Sequence, residues 1–219
     1  DLSTLDDNLA YELGINEGRS LADGQNLQVP DNTTLVVDAG TVFKMLKSNL
    51  HVGSSSVTID RSGSAMQVLG TPQHRVVFTS YDDQTIGVDT NPRQTTPDPG
   101  DWGGLIMQND VDRAEDRFDY EQEGIYLNVI NQADIRYGGG NVLLDSMQQV
   151  INPVHMVDAR QTVSYNRITF SADAAMSANT DSFEVTNFSA VDSLGVDYQA
   201  TPFTPDYERI GPDIRGNRL

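Results

Sequence analysis

Short runs of β-forming residues follow one another along most of this chain, and turn-forming residues separate them. Gly, Pro, Asn, Asp and Ser dominate the gaps, and few gaps in the first part of the repeat exceed about six residues. Such gaps are too short for the helices that connect the strands of a doubly wound sheet. The pattern predicts an all-β fold whose first strands lie at residues 27–29, 34–37, 42–46, 50–52, 57–59, 66–69 and 76–79.

Three later runs resemble one another, which indicates a repeat. They are Ala133-Asp134-Ile135-Arg136-Tyr137, Asn166-Arg167-Ile168-Thr169-Phe170 and the terminal Gly216-Asn217-Arg218-Leu219. Regular returns of this kind suit a solenoid, because each turn of chain buries its apolar face against the turns on either side. Since the last return stands at the end of the sequence, we expect further coils downstream of Leu219.

The first 25 residues follow a different pattern. Leu5, Leu9 and Leu13 are spaced as on one face of a helix, so we expect a helix-like or irregular segment that caps the open end of the solenoid. The rest of the chain, residues 26–219, is predicted to form the coils of the same single domain. Two acidic stretches, at residues 82–101 and 109–123, are expected to leave the body as loops. In the strand that follows the second stretch, Ile125, Leu127 and Val129 are expected to point inward.

Several of these segments resemble a known class of protein. They are Asp38-Ala39-Gly40-Thr41-Val42-Phe43-Lys44, Gly70-Thr71-Pro72, Val77-Phe78-Thr79-Ser80, Asp101-Trp102-Gly103-Gly104 and the closing Gly211-Pro212-Asp213-Ile214-Arg215-Gly216-Asn217-Arg218-Leu219. The chain from about Leu21 to Leu219 resembles large secreted bacterial surface proteins that carry right-handed parallel β-helix domains of the pectin-lyase-like type. The resemblance implies that fold and an extracellular location. Most such proteins have no established activity, so it implies little chemistry.

Charge and composition narrow the range of partners. Acidic residues exceed basic ones by 32 to 14, which gives a formal charge of −18, and the chain has no cysteine. A strongly negative field repels phosphate backbones, so we expect no nucleic-acid partner. Without a run of about 20 apolar residues we also expect no membrane insertion. The absence of cysteine removes disulfides and thiolate metal sites.

The first acidic stretch suggests a cation site. Asp82, Asp83 and Asp89 precede Asp98 and Asp101 in one loop, and hard cations take several oxygen ligands. The spacing is not that of an EF-hand, because no Asp-x-Asp-x-Asp-Gly run with a distal Glu is present. We therefore name Asp82, Asp83 and Asp89 as candidate ligands for calcium, with a solvated acidic loop as the alternative.

Two enzymatic arrangements compete with structural roles for these residues. Arg136, Arg160 and Arg167 lie on or beside predicted strands and could act in a polysaccharide lyase, although a strand arginine usually pairs with a nearby aspartate. Asp134 and Asp158 lie on consecutive proposed coils, as the two carboxylates of a glycoside hydrolase would, but stacking of this fold brings such residues together in any case. The sequence therefore assigns no catalytic residue.

Other polar and aromatic residues favour structural roles. The histidines at positions 51, 74 and 155 lack metal-ligand spacing, and Gly138-Gly139-Gly140 indicates a tight bend. Trp102, beside two glycines, is expected in the core. A ladder of stacked asparagines is predicted at the bends, with the candidate members Asn128, Asn131, Asn152, Asn166 and Asn187.

These observations favour an extracellular structural or adhesive module with a glycan, calcium or another surface protein as partner. The alternative from a different class is a polysaccharide lyase or glycoside hydrolase acting on an extracellular polysaccharide.

Overall fold

The computed structural model describes residues 9–53, 64–108, 126–144, 146–157, 159–179, 182, 190–191, 197–198 and 212–219. Apart from a 3-10 turn at Ser182, every secondary-structure element of this part is a β-strand. The strands are β1 (Tyr11–Asn16), β2 (Arg19–Ser20), β3 (Leu27–Gln28), β4 (Thr34–Asp38), β5 (Val42–Leu46), β6 (Leu50–Gly53), β7 (Ala65–Leu69), β8 (Val76–Ser80), β9 (Leu105–Gln108), β10 (Val129–Asn131), β11 (Ala133–Arg136), β12 (Asn141–Leu144), β13 (Met147–Val150), β14 (Val154–Val157), β15 (Thr162–Ser164), β16 (Arg167–Thr169), β17 (Met176–Ala178), β18 (Ala190–Val191), β19 (Asp197–Tyr198) and β20 (Asp213–Arg215).

Most strands belong to three sheets with parallel pairing. Sheet A has the order β16-β11-β8-β5-β1-β2, sheet B has β17-β14-β9-β6-β3, and sheet C has β20-β15-β10-β7-β4. Sheet A is mixed, because β2 pairs with β1 in the antiparallel direction. From β1 to β20 the chain visits the sheets repeatedly in the order A, B, C, and we call one such pass a circuit. The remaining strands form two antiparallel hairpins, β12–β13 and β18–β19.

The main hydrophobic core receives side chains from all three sheets. Alternate residues point inward, so Phe43, Phe78, Ile135 and Ile168 occupy equivalent positions on four strands of sheet A. The rings of Phe43 and Phe78 stack with centroids 5.1 Å apart. Trp102 is completely buried in the same core, as expected, and its indole N–H donates to the Arg136 carbonyl oxygen over 2.7 Å. The core therefore runs through successive circuits.

The corner between sheets C and A repeats from circuit to circuit. Gln132, Tyr165 and Gly216 lie at the same place in successive circuits, and their φ angles are 54°, 56° and 63°. Next to them, Asn217 Oδ1 accepts a hydrogen bond from Asn166 Nδ2 over 3.0 Å, and Asn166 Oδ1 accepts one from the Ala133 N–H over 2.8 Å. Of the predicted ladder members, only Asn166 is shown bonded to another asparagine, Asn217, which was not among the candidates. Asn128 accepts from the Met66 N–H and Asn131 from the Ser164 hydroxyl.

The three similar runs occupy equivalent positions, as their sequences predict. Asp134 is the Cα partner of Arg167 in the parallel pairing of β11 with β16, and Arg167 forms a parallel bridge with Arg218. The repeat in sequence therefore corresponds to neighbouring strand positions in sheet A.

Two local predictions are wrong. Residues 11–16 form strand β1, paired in parallel with β5, where a helix-like segment was expected. Leu9 is 75% exposed while Leu13 is buried, so the leucine spacing does not mark one buried face. In β10 the inward side chain is Ile130, not Val129, so the predicted register is displaced by one residue.

Some predictions concern other parts of the chain. The strand predicted at residues 57–59, the acidic stretch 109–123, Ile125, Asp158 and Asn187 lie outside the described residues. In the described part of the chain, no helix is long and apolar enough to span a bilayer.

Candidate functional site

Four polar side chains form a row across the outer face of sheet A. Glu12 on β1, Lys44 on β5 and Thr79 on β8 are Cα partners in successive strands. Arg136 continues the row on β11, one residue after the Ile135–Phe78 pair. Their neighbours Leu13, Phe43, Met45, Phe78 and Ile135 lie in the main core, so these four face outward. We call them the charged row.

The acidic loop, residues 82–101, lies over this row. Lys44 Nζ donates to the Val88 carbonyl oxygen over 3.3 Å, and the Thr90 hydroxyl group hydrogen-bonds with the Glu12 carboxylate. Lys44 is only 1% exposed as a result. The expectation that this stretch leaves the body is therefore wrong.

Apolar contacts and an ion pair fix the loop on the sheet. Ile86 packs against Ala10, Val42 and Val77, which form a small buried cluster on the outer face. Farther along the loop, Arg93 Nη1 lies 2.6 Å from Glu17 Oε1 in the β1–β2 connection. Both side chains of this pair are exposed, so the pair contributes little stability by itself. The loop is therefore held in place by burial of the apolar and polar groups beneath it.

Asp83 is the acidic residue that the loop directs into the sheet. Its Oδ2 accepts a hydrogen bond from the Thr79 hydroxyl over 2.6 Å, and its Oδ1 accepts from the backbone and side chain of Thr85. Burial alone would raise the pKa of Asp83, but these hydrogen bonds and the Arg136 charge outweigh it and hold the pKa below its ordinary value. The carboxylate is therefore ionised and fully engaged in the fold.

Lys44 and Glu12 have perturbed pKa values for the same physical reason. Burial lowers the pKa of Lys44, while the negative charges of Asp89, Asp83 and Glu12 act in the opposite direction. Burial likewise raises the pKa of Glu12, and Lys44 opposes that shift. Each charge is thus retained beneath the loop chiefly because its partners are there.

Beyond the loop, arginines gather around one carboxylate. Arg136 binds Asp134 with two hydrogen bonds, Nε to Oδ1 over 3.1 Å and Nη2 to Oδ2 over 2.7 Å. Arg167 Nη1 lies 3.7 Å from the same Oδ2, and Arg75 interacts electrostatically with both Arg167 and Asp134. We call Arg75, Arg136 and Arg167 the arginine cluster.

The candidate calcium ligands do not converge. Asp83 points into the sheet, Asp82 Oδ1 accepts from Asn91 Nδ2 over 3.0 Å, and Asp89 Oδ1 accepts from the Asn91 N–H over 3.0 Å. Within the described ranges, no three His, Asp or Glu side chains are grouped so as to hold a metal ion. Calcium binding by this loop stays a prediction.

The remaining candidates are dispersed. Arg160 is buried and follows strand β14 of sheet B, so only Arg136 and Arg167 of the three predicted arginines come together. His155 hydrogen-bonds through Nδ1 with the Ser177 hydroxyl over 2.7 Å, and burial lowers its pKa. His51 is also buried and His74 lies in the connection before β8, so the histidines form no common site.

Sequence reasoning missed Glu12, Lys44 and Arg75. Lys44 could have been recognised from the sequence. It stands between the apolar residues Phe43 and Met45 in a predicted strand, which places it on the outer side, and it is one of only two lysines in the chain. Glu12 was hidden by the helical interpretation of the first residues. Arg75 precedes a strand without any pattern that relates it to Arg167, 92 positions later, and only the stacking of circuits brings them together.

The chain matches no protein-family model, no curated protein and no solved structure.

Proposed function

We propose that this chain is a segment of a right-handed parallel β-helix that serves as an extracellular structural or adhesive module. The circuits would be its coils, and sheets A, B and C its three faces. The observation that carries the proposal is the cyclic A, B, C order of the strands, with in-register parallel pairing from one circuit to the next. A stack of this kind lengthens by about 4.8 Å per coil and suits a stiff spacer.

The state of the charged row supports a structural role over catalysis. A lyase base must reach a substrate proton, but Lys44 is enclosed beneath the acidic loop and hydrogen-bonded to Val88. Asp83 uses both carboxylate oxygens within the fold. Their contacts fix the loop to sheet A, which is what a structural role requires.

Cysteine pairs test the coil arrangement, since the chain has no cysteine of its own. Val36 and Gln67 are Cα partners on the outer side of sheet C, and Val129 is the next partner of Gln67. In the proposed fold, Val36→Cys with Gln67→Cys forms a disulfide on mild oxidation, because neighbouring parallel strands lie about 4.8 Å apart. The matched pair Val36→Cys with Val129→Cys is separated by two strand spacings and stays reduced. Oxidation of the second pair but not the first would contradict the coil order.

A polysaccharide lyase is the second candidate, and it has one favouring observation, the gathering of Arg136 and Arg167 on one face beside Asp134. Incubation of the folded chain with neutral and uronate-containing polysaccharides distinguishes the two functions. The structural proposal expects neither new reducing ends nor unsaturated uronate products. If the parent cleaves a polysaccharide, and Arg136→Gln abolishes the cleavage while circular dichroism shows an unchanged fold, the structural proposal is overturned in favour of the enzyme.

A further inference from the structure

We propose that the arginine cluster is a binding site for a small oxyanion, a carboxylate or a sulfate group carried by a partner glycan. This deepens the adhesive part of the proposed function by naming the chemical group that the module would hold. The cluster has an excess of positive charge, two arginines held in fixed positions and a third that is accessible.

The cluster contains more positive than negative charge. Arg136 and Arg167 both lie within 4 Å of the Asp134 carboxylate, and Arg75 interacts electrostatically with Asp134 and Arg167. Asp83 Oδ2 lies 3.9 Å from Arg136 Nη1, so three arginines face two carboxylates. This occurs in a chain whose formal charge is −18 and which has only 14 lysines and arginines. Burial and the neighbouring Arg167 charge lower the pKa of Arg75, as expected where like charges are incompletely neutralised.

Two of the arginines are held in place by the fold. Arg75 Nη1 donates to the Tyr165 carbonyl oxygen over 2.8 Å and to the Ala133 carbonyl oxygen over 3.2 Å. Arg136 is fixed by its two hydrogen bonds to Asp134. Both side chains therefore form a prearranged positive surface that need not lose much conformational freedom when a ligand binds.

Arg167 is the accessible member. Its side chain is 44% exposed, and its contact with Asp134, at 3.7 Å, is longer than a hydrogen bond. Within the described residues, contacts of the acidic loop reach β11 at Arg136, and β16, which carries Arg167, lies one strand farther on. The planar guanidinium of Arg167 can thus offer two parallel N–H donors to a carboxylate or sulfate arriving from solvent.

The overall charge selects for small anions. At physiological ionic strength charges are screened over about 8 Å, so an oxyanion in contact with the cluster experiences mainly the local arginines. A long polyanion would also approach the acidic surface beyond them and would be repelled. A single acidic sugar therefore fits the site better than a continuous polyanion.

Titration of the folded, isotopically labelled chain with glucuronate and with inorganic sulfate, followed by amide chemical shifts, tests the site. We expect saturable shifts at Ile135, Arg136 and Ile168, and none with glucose, which lacks the oxyanion. Loss of a charged hydrogen-bonding partner in Arg167→Gln should weaken binding about tenfold. The matched control Arg215→Gln removes an exposed arginine of sheet C, paired with Asp213, and should leave the affinity within about twofold.

A second variant is expected to strengthen binding, which a simple loss of structure would not do. Asp134→Asn removes the carboxylate that competes with the ligand, so it should bind glucuronate or sulfate more tightly than the parent does. Tighter binding of glucuronate identifies a carboxylate site, tighter binding of sulfate identifies a sulfate site, and equal binding supports the shared oxyanion chemistry. Absence of saturable shifts with both anions would overturn the proposal, as would equal weakening by Arg167→Gln and Arg215→Gln. Neither result bears on the coil order, which the cysteine pairs test, or on the absence of catalytic turnover, which the cleavage assay tests.

Discussion

A buried lysine needs nearby negative charge, and Lys44 obtains it from two directions. Glu12 is its partner on the neighbouring strand, whereas Asp83 and Asp89 come from the acidic loop. Lys44, Glu12 and Asp83 are buried, so removal of any one of them leaves the others with less compensation, which is more costly than loss of an exposed ion pair. The loop and the sheet therefore depend on each other at the level of single residues.

Replacement of Lys44 by methionine tests this dependence. Lys44→Met keeps the length of the side chain but leaves Glu12 and Asp83 without its charge, so the free energy of unfolding should fall by about 3 kcal/mol. Lys47→Met is the matched control, because Lys47 is exposed and should change stability by no more than about 0.5 kcal/mol. Urea denaturation of the three proteins gives both values, and equal small effects would mean that Lys44 is not required beneath the loop.

Asp83 predicts a particular dependence of stability on pH. Its pKa is lower in the folded chain than in the unfolded one, so the ionised carboxylate stabilises the fold above about pH 4, and this contribution is lost as the pH falls through the folded value. Asp83→Asn should therefore destabilise the fold by about 2 kcal/mol at pH 7, and the difference from the parent should shrink on acidification.

Thermal unfolding of both proteins between about pH 7 and pH 3 measures that difference. Asp38→Asn is the control, because it removes the same charge from an exposed position on sheet C. A difference between Asp83→Asn and the parent that stays constant over the whole range would show that the negative charge of Asp83 is not what stabilises the loop.

At the scale of elements, strands were predictable where turn formers bound a run of β-forming residues. Val42–Leu46 is predicted with the observed bounds, and Thr34–Asp38, Ala65–Leu69 and Val76–Ser80 with one residue added. The exceptions have physical reasons. Strand β1 lies next to the short β2, near the edge of sheet A. It exposes Tyr11, and Leu9 just before it is also exposed, so the apolar pattern does not alternate clearly. Before β10, the fully buried Asn128 accepts a hydrogen bond from the Met66 N–H, whereas the sequence predicted the apolar neighbours Leu127 and Val129 to point inward.

The candidate site was less predictable than the strands. The sequence drew attention to the acidic loop, yet its position over sheet A depends on Ile86 and Asp83. Their partners are Ala10, just before β1, and residues of β5, β8 and β11. The hairpin β12–β13 was missed for a similar reason, because Val142 and Leu144 are buried against Ile106 of sheet B rather than in the main core. Contacts between a loop and the outside of a sheet leave no periodic signal in the chain.

The close packing of glycines offers a test at this scale. A Cβ atom on Gly140 would lie 1.9 Å from the Gly100 carbonyl oxygen, so Gly140→Ala forces two backbone segments apart and should cost about 3 kcal/mol or more. At Gly18 the space is open and φ is +77°, so Gly18→Ala should cost only about 1 kcal/mol, from its backbone conformation. Similar unfolding free energies for the two variants would mean that the segments around Gly100 and Gly140 separate easily.

At the scale of the whole molecule, net charge opposes the stacking of circuits. The 18 excess negative charges repel one another, and salt screens this repulsion. Sodium chloride should therefore raise the midpoint of thermal unfolding without any specific binding.

Calcium should raise the midpoint beyond that of sodium chloride at equal ionic strength if the acidic loop binds it. The expected increment corresponds to about 2.7 kcal/mol when free calcium is a hundredfold above its dissociation constant. Asp82→Asn and Asp89→Asn should each reduce the increment and leave the effect of sodium chloride unchanged. The carboxylates of Asp82 and Asp89 contact Asn91, whereas the carboxylate of Asp83 contacts the sheet. Coincident midpoints of the parent in the two salts would instead make these aspartates part of the screened surface charge.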